Sequence, residues 1–354
     1  MHIMRIYFYH TRESKQSLEE WKQLRFPGHL LYGLPLLEKY GIDAILHRHR
    51  YIENRWKLML YVTYEIFACR KKYDVLYGTS FRGLEIIIFL HALGLYKRPI
   101  VVWHHTALRR SRNKIREFLS CVFYKGIDHM FFFSQKHIDE SIQLNKVPSE
   151  KLELVHWGPD LAFYDNIMSA ASKENHMGFI STGKENRDVD TLIKAFIETK
   201  ASLEIYISKT CGAINYKEKL DKYSPCDRIK IHYTNGVIPY ILAQIVATKQ
   251  FVVIPCLEYS YTVGLTTLVE ALALGIPVIC SKNPYYEMDI DKEQIGITIA
   301  YGDVQGWKNA INFLMENPVI AKKMGENARR LAEKSFNLEV FSKEVAISLL
   351  NSNK

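Results

Sequence analysis

Residues 251–281, FVVIPCLEYSYTVGLTTLVEALALGIPVICS, restrict the fold more than any other part of the chain. Phe251 to Pro255 is a short apolar run, the composition of a parallel strand buried on both faces. A polar loop follows from Glu258 to Val263. The pattern then predicts a helix from about Gly264 to Leu274, stopped by Gly275 in the left-handed region and by Pro277, which cannot continue it. Ile276 to Cys280 reads as the next strand. Strand, loop, helix and strand in this order set a helix N-terminus at the carboxyl edge of a parallel sheet, where open α/β sheets bind ligands.

The amides around Gly264, Leu265, Thr266 and Thr267 lie in the first turn, without intrahelical acceptors, and the helix dipole adds positive potential there. Gly264 has no Cβ, so an anion can come close to the backbone. Glu270 is four residues after Thr266, on the same helix face. Its carboxylate is placed to accept hydrogen bonds from a sugar diol beside a bound phosphate. The alternative is a solvated helix residue, but Glu270 runs straight into Ala-Leu-Ala-Leu-Gly-Ile-Pro-Val, a poor place for solvent.

These residues resemble the donor-binding segment of the family-four (group one) glycosyltransferases, enzymes of the GT-B fold. The family pattern is Glu, any residue, Phe-Gly-Leu, three residues, Glu-Ala, then Gly, any residue, Pro-Val. Gly264, Leu265, Glu270, Ala271, Gly275, Pro277 and Val278 fall in register with it. The resemblance implies that Glu270 contacts the ribose of a bound nucleotide. One position departs: the first Glu of the pattern, which in the family touches the donor sugar, aligns with Thr262. Glu258 is the carboxylate four residues upstream.

The chain has 354 residues, enough for two domains. No run of 18 apolar residues occurs, so no spanning helix is expected. MHIMRIYFYHTRES reads as a first strand rather than a signal peptide. The six cysteines show no CxxC spacing, which argues for reduced thiols in a cytoplasmic protein and against zinc. The formal charge of +9 lies wholly in residues 1–160, with 25 basic and 16 acidic side chains; the remainder is neutral. Such a half suggests an anionic partner, either a phosphorylated acceptor or an anionic membrane surface. Nucleic acid is disfavoured, because no helix-turn-helix, RNP or zinc signature accompanies the charge.

In the first half, Met4 to His10, Ile42 to His47, Tyr73 to Tyr77, Pro99 to Trp103, His129 to Ser134 and Lys151 to His156 read as strands. Leu30 to Lys39 reads as a helix, with Pro35 bending it or marking its true start. Strand one is not followed by GxGxxG, so a nicotinamide dinucleotide site is disfavoured. Residues 54–73 and 107–125 read as amphipathic helices. Arg109, Arg110, Arg112, Lys114 and Arg116 cluster at the start of the second. A core-facing helix with a solvated face and an interfacial patch for anionic lipid both fit. His104 and His105 end a central strand, where an imidazole points toward ligand. The resemblance assigns a sugar-contacting histidine to His105, with His104 one residue off, and places Gly28, His29 and His104 on the acceptor side. The segment His156-Trp157-Gly158-Pro159-Asp160 resembles the family's hinge turn, with Trp157 where Asn usually stands.

Residues 164–176 read as a polar linker, and Met177 to Ser181 as the next strand. Gly183, Lys184 and Arg187 follow. The resemblance makes them a diphosphate clamp, in which two cations neutralise the charge growing on the leaving group with no metal required. Leu203 to Ser208, Ile229 to His232 and Ile295 to Ala300 read as strands. Gly236, Val237 and Pro239 resemble a segment whose backbone reads the base edge. That leaves no side chain to decode the base, although a UDP-sugar is expected over a GDP-sugar.

The expectation is an α/β protein of the GT-B type, two Rossmann-like doubly wound domains facing a central cleft. The first, 1–165, would bind acceptor; the second, 177–335, the nucleotide sugar; and 336–354 would be a helix crossing back to the first domain. The resemblance implies a retaining hexosyltransferase with no cofactor. It would act on a glycan or polyprenyl-linked acceptor in surface polysaccharide synthesis, cytoplasmic or peripheral at the inner face of the plasma membrane. Two other readings stay open: a partner subunit that binds without turnover, and a nucleotide-sugar epimerase of the same fold.

Overall fold

The computed structural model describes residues 3–170, 177–212, 214–223, 227–234 and 238–352. Two compact units form. One comprises Met1–Gln23, Gly28–Trp157 and Leu338–Lys354; the other comprises Leu24–Pro27 and Gly158–Asn337. Gly236, Val237, Cys226 and residues 171–176 of the expected linker lie outside the described residues.

In the first unit, β1 (Met4–Tyr9), β2 (Ile42–Leu46), β3 (Val75–Gly78), β4 (Ile100–Trp103), β5 (His129–Phe132) and β6 (Leu152–Leu154) form a parallel sheet in the order β2-β1-β3-β4-β5-β6. Every residue of β3 and β4 is buried, as the continuous apolar runs require of strands covered on both faces. The order reverses between β1 and β3. The C-terminal helix Leu338–Ser352 belongs to this unit. Its Phe341 ring lies 5.7 Å from Trp103, and Glu344 accepts from the His156 backbone amide (2.7 Å) and meets its imidazole (2.9 Å).

In the second unit, β7 (Phe179–Gly183), β8 (Leu203–Ser208), β11 (Ile229–Thr234), β12 (Phe251–Ile254), β13 (Val278–Ser281) and β14 (Gly296–Ile299) form a parallel sheet ordered β11-β8-β7-β12-β13-β14. β9 (Thr210–Cys211) and β10 (Ile214–Asn215) make a two-residue antiparallel hairpin. The six-stranded order is that of the dinucleotide-binding fold, with its switch point between β7 and β12. The core between sheet and helices includes Phe179, Leu192, Phe196, Val253, Trp307 and Ile311. Both units are therefore doubly wound α/β layers, as the sequence pattern predicts.

Three local expectations need correction. Leu30 to Lys39 is not one helix but two 3-10 turns, Gly28–Leu31 and Leu34–Tyr40. Tyr32 (φ 54°) and Gly33 (φ 85°) are left-handed and break the ladder between them, and Pro35 has no amide to restore it. The 107–125 helix starts only at Lys114, where the Asn113 side chain accepts from the Ile115 and Arg116 amides. The whole described part of the expected linker, residues 164–170, lies in the helix Leu161–Ala170, with Phe163, Tyr164 and Ile167 buried.

Candidate active site

The second unit's candidate site sits at its switch point. β7 ends in Thr182–Gly183, and β12 runs into Pro255 and Cys256. The loops after these strands are tied together. Asp188 donates its amide to the Pro255 carbonyl (3.1 Å), and Leu257 donates to Asn186 (2.9 Å). Gly183 has φ 148°, and a Cβ there would lie 2.4 Å from Nε of Arg187. The glycine thus makes the space into which the Arg187 side chain folds back.

Arg187 is 7% exposed. Its Nε donates to the Thr182 carbonyl (3.1 Å), Nη1 to the Glu185 carbonyl (3.1 Å) and Nη2 to Oγ1 of Thr267 (3.3 Å). All three acceptors are neutral, and no ion pair to Arg187 forms among the described residues. A guanidinium buried without a counter-charge is costly unless an anion completes it. Lys184 differs: it stands exposed on the same loop. The expected pair is therefore one inward, fixed cation and one solvent-facing cation.

The helix after β12 is Leu265–Leu274, and Gly264 is its N-cap at φ 89°. A Cβ at Gly264 would lie 2.6 Å from Cγ2 of Ile254 and from the Tyr286 hydroxyl. The Leu265 amide, expected to be available, donates instead to the Thr262 carbonyl (3.1 Å). The first helical bond runs from Leu268 to Gly264 (3.0 Å), so Thr266 and Thr267 carry the first-turn amides that precede it. The loop before the helix is braced from below. Asn283 donates to the Tyr261 and Val263 carbonyls (3.1 and 3.3 Å), and Tyr286 donates to Val263 (2.5 Å). Thr262 is half-buried and Glu258 exposed.

Glu270 lies one turn further along the same helix. Burial pushes its carboxyl up to about 7, while a hydrogen bond from Tyr164 and the charge of Arg187 pull the other way. Tyr164, buried in the helix Leu161–Ala170, was not visible as a site residue in the sequence, because it falls in a stretch that reads as linker. Thr182 was equally hidden, and of Thr267 only the amide was expected; their hydroxyls lie 3.3 Å apart beside Arg187. Asp160 is buried and its carboxylate accepts from the Phe163 amide (3.3 Å), so it caps the helix that carries Tyr164.

In the first unit, His105 is partly exposed at the carboxyl end of β4, and its Nε2 lies 3.2 Å from the Thr79 carbonyl after β3. Burial lowers its pKa, which favours the neutral ring. His104 turns the other way. It is 4% exposed, stacks on Phe81 at 5.4 Å and meets the Tyr124 hydroxyl at 3.1 Å. Gly28 is buried at the start of a 3-10 turn, and His29 is fully buried with its ring 5.5 Å from Trp157. Desolvation drops His29 to about 3 and His104 to about 4. Neighbouring elements of this unit enclose both rings.

Residues 162–331 match the model of the family Glycosyl transferases group 1. Over that segment the chain is similar to the group 1 glycosyl transferases. Every residue of the switch-point site, from Tyr164 to Tyr286, falls inside the match. No curated protein sequence matches the chain. Solved structures extend the likeness to nearly the whole chain. HepE of Anabaena, in complex with UDP-glucose, is 16% identical with a TM-score of 0.66, covering 98% of this chain and 100% of that one. The α,α-trehalose 6-phosphate synthase of Burkholderia multivorans is 9% identical with a TM-score of 0.72, covering 100% of each. Sucrose-phosphate synthase of Thermosynechococcus elongatus is 14% identical with a TM-score of 0.69, covering 98% of each. At these identities they share the fold, which is GT-B.

Among the described residues no group of three or more His, Cys, Asp or Glu could hold a metal ion. The candidate site is built from a fixed guanidinium, helix-start amides and a carboxylate, the parts that anion and diol recognition need. Replacement of Gly264 tests the backbone part. Gly264→Ala is expected to lower stability by about 1–3 kcal/mol, from a left-handed non-glycine residue and the two contacts its Cβ would make. Denaturant melts of the two proteins measure it.

Proposed function

We propose that the protein is a retaining hexosyltransferase that moves a sugar from a UDP-sugar to a hydroxyl of a glycan or lipid-linked glycan in surface polysaccharide synthesis. The observation that carries this reading is the buried Arg187 guanidinium, which makes no ion pair among the described residues and lies beside the start of the helix that bears Glu270. A nucleoside diphosphate supplies what is missing there: two phosphates for Arg187, Lys184 and the Thr266 and Thr267 amides, and a ribose diol for Glu270.

In this proposal the diphosphate is the leaving group. The cations and amides neutralise the charge that develops on it, and its oxygens take the acceptor proton as the glycosidic bond forms on the same face. His105 contacts the donor sugar with a neutral ring. HepE of Anabaena, whose structure contains UDP and glucose, and a trehalose-phosphate synthase described as UDP-forming support uridine as the base. Thr262, where the family pattern has Glu, favours one second reading: a partner subunit that binds nucleotide without turnover.

Calorimetry with UDP and GDP, followed by incubation with UDP-sugars and glycan acceptors, tests both. Selective UDP binding together with release of UDP and a glycosylated product supports the transferase. UDP binding without product in the presence of acceptor supports the partner subunit, and binding of neither nucleotide overturns both.

A further inference from the structure

The first unit carries an apolar surface that its own core does not use. The helix Arg55–Ala68 packs Met59, Val62 and Ile66 inward. Trp56, Leu60 and Tyr64, spaced four residues apart along another face, are 72%, 62% and 67% exposed. This helix lies beside the helix Glu85–Ala92, joined by the Arg55–Glu85 ion pair at 2.7 Å. On the other side of Glu85–Ala92 lies the helix Lys114–Lys125, where Phe89 and Phe123 meet at 5.5 Å. Lys114–Lys125 has no buried residue, and its Ile115 and Phe118 are 72% and 68% exposed. The two helices that flank Glu85–Ala92 therefore each present large apolar side chains to solvent. Single exposed apolar residues are ordinary, but a shared patch of this kind is not.

Charge decides what would cover it. Arg110, Arg112, Lys114 and Arg116 are exposed and interleave with Ile115 at the start of the last helix, and the chain's whole excess of +9 lies in residues 1–160. An apolar stripe with Trp and Tyr, rimmed by arginine and lysine, matches the acyl boundary and phosphate layer of an anionic bilayer. No helix among the described residues is long and apolar enough to cross a membrane. We infer that the faces of Arg55–Ala68 and Lys114–Lys125 dock this unit in the plane of an anionic lipid surface, with Trp56 and Phe118 entering the headgroup layer. This gives the peripheral location of a transferase acting on lipid-linked glycan a named surface. It does not depend on the nucleotide site.

The test is co-sedimentation of the full chain with phosphatidylglycerol vesicles and with phosphatidylcholine vesicles. Two variants accompany it: Trp56→Ser/Leu60→Ser/Tyr64→Ser, and Arg110→Gln/Arg112→Gln/Arg116→Gln. All six side chains belong to exposed residues, so folding should survive, and UDP binding by calorimetry checks the second unit in the same samples. The expected result is binding to phosphatidylglycerol at least tenfold tighter than to phosphatidylcholine. Each variant should weaken it at least tenfold, with UDP binding unchanged. Equal binding of wild type and both variants, or no binding of wild type, overturns the inference. So does a wild-type dimer in light scattering that the serine variant converts to monomer, since a second copy would then be the occupant.

Discussion

Arg187→Met is expected to cut transfer by about 100- to 1000-fold, the usual cost of removing a fixed group aimed at developing charge, while leaving the melting temperature unchanged or higher. The two halves of this expectation come from the same geometry. Arg187 gives its donors to two carbonyls and one hydroxyl, without an ion pair among the described residues. A buried cation of this kind costs free energy in the empty protein, and an apolar side chain of similar reach relieves that cost. The bonds lost are ordinary ones, each contributing about 1 kcal/mol net. Arg187→Lys separates charge from shape. It keeps the cation but not the planar fork, and Gly183, which sits against the guanidinium, leaves an unfilled space. Transfer by the lysine variant should therefore fall at least about tenfold. Steady-state rates with a UDP-sugar and melting curves for the three proteins decide it. Activity of Arg187→Met within threefold of wild type would remove Arg187 from the donor site.

The switch-point site was legible in the sequence where local chain chemistry dictates it. Gly264 and Gly275 are both left-handed in the structure and bracket the helix at the places their residue type and neighbours predict. The alternation of apolar runs and helices gave both parallel sheets, because strands covered on both faces have no polar side to alternate with. The local signal failed where a contact joins distant residues. Tyr164 reaches Glu270 across 106 positions, and nothing in Phe163-Tyr164-Asp165 announces a partner. The burial of the histidines was hidden for the opposite reason. His29 and His104 have the right type at the right end of a strand or loop, but side-chain direction is set by packing: Trp157 encloses one, and Phe81 and Tyr124 the other. His104 and His105 are adjacent, and adjacent residues at a strand end point to opposite sides. Only one of them can look toward the strand β3 carboxyl edge, and it is His105. The apolar stripe of Trp56, Leu60 and Tyr64 was hidden as well, because apolar periodicity does not reveal which of two faces the core will take.

Glu270 ties stability and binding to pH in opposite directions. Its folded pKa of about 7 lies above the ordinary 4.5, with desolvation as the leading cause. Between those values the folded chain holds a proton that the unfolded chain has released. The stabilisation from this group is therefore complete below the ordinary value and is lost as pH rises through about 7. Accepting two ribose hydroxyls calls for the ionised form, so UDP affinity should rise about tenfold from about pH 6 to about pH 8, following the ionised fraction. Glu270→Gln should bind UDP weakly with a flattened profile, and above pH 7 it should melt higher than wild type because no charge is then buried. Tyr164→Phe removes the donor that favours the carboxylate, so its binding midpoint should move to higher pH. UDP itself titrates in this range, but it does so equally with every variant, and the difference from Glu270→Gln isolates the residue. A pH profile that persists unchanged in Glu270→Gln would place the titrating group elsewhere and leave the ribose without its acceptor.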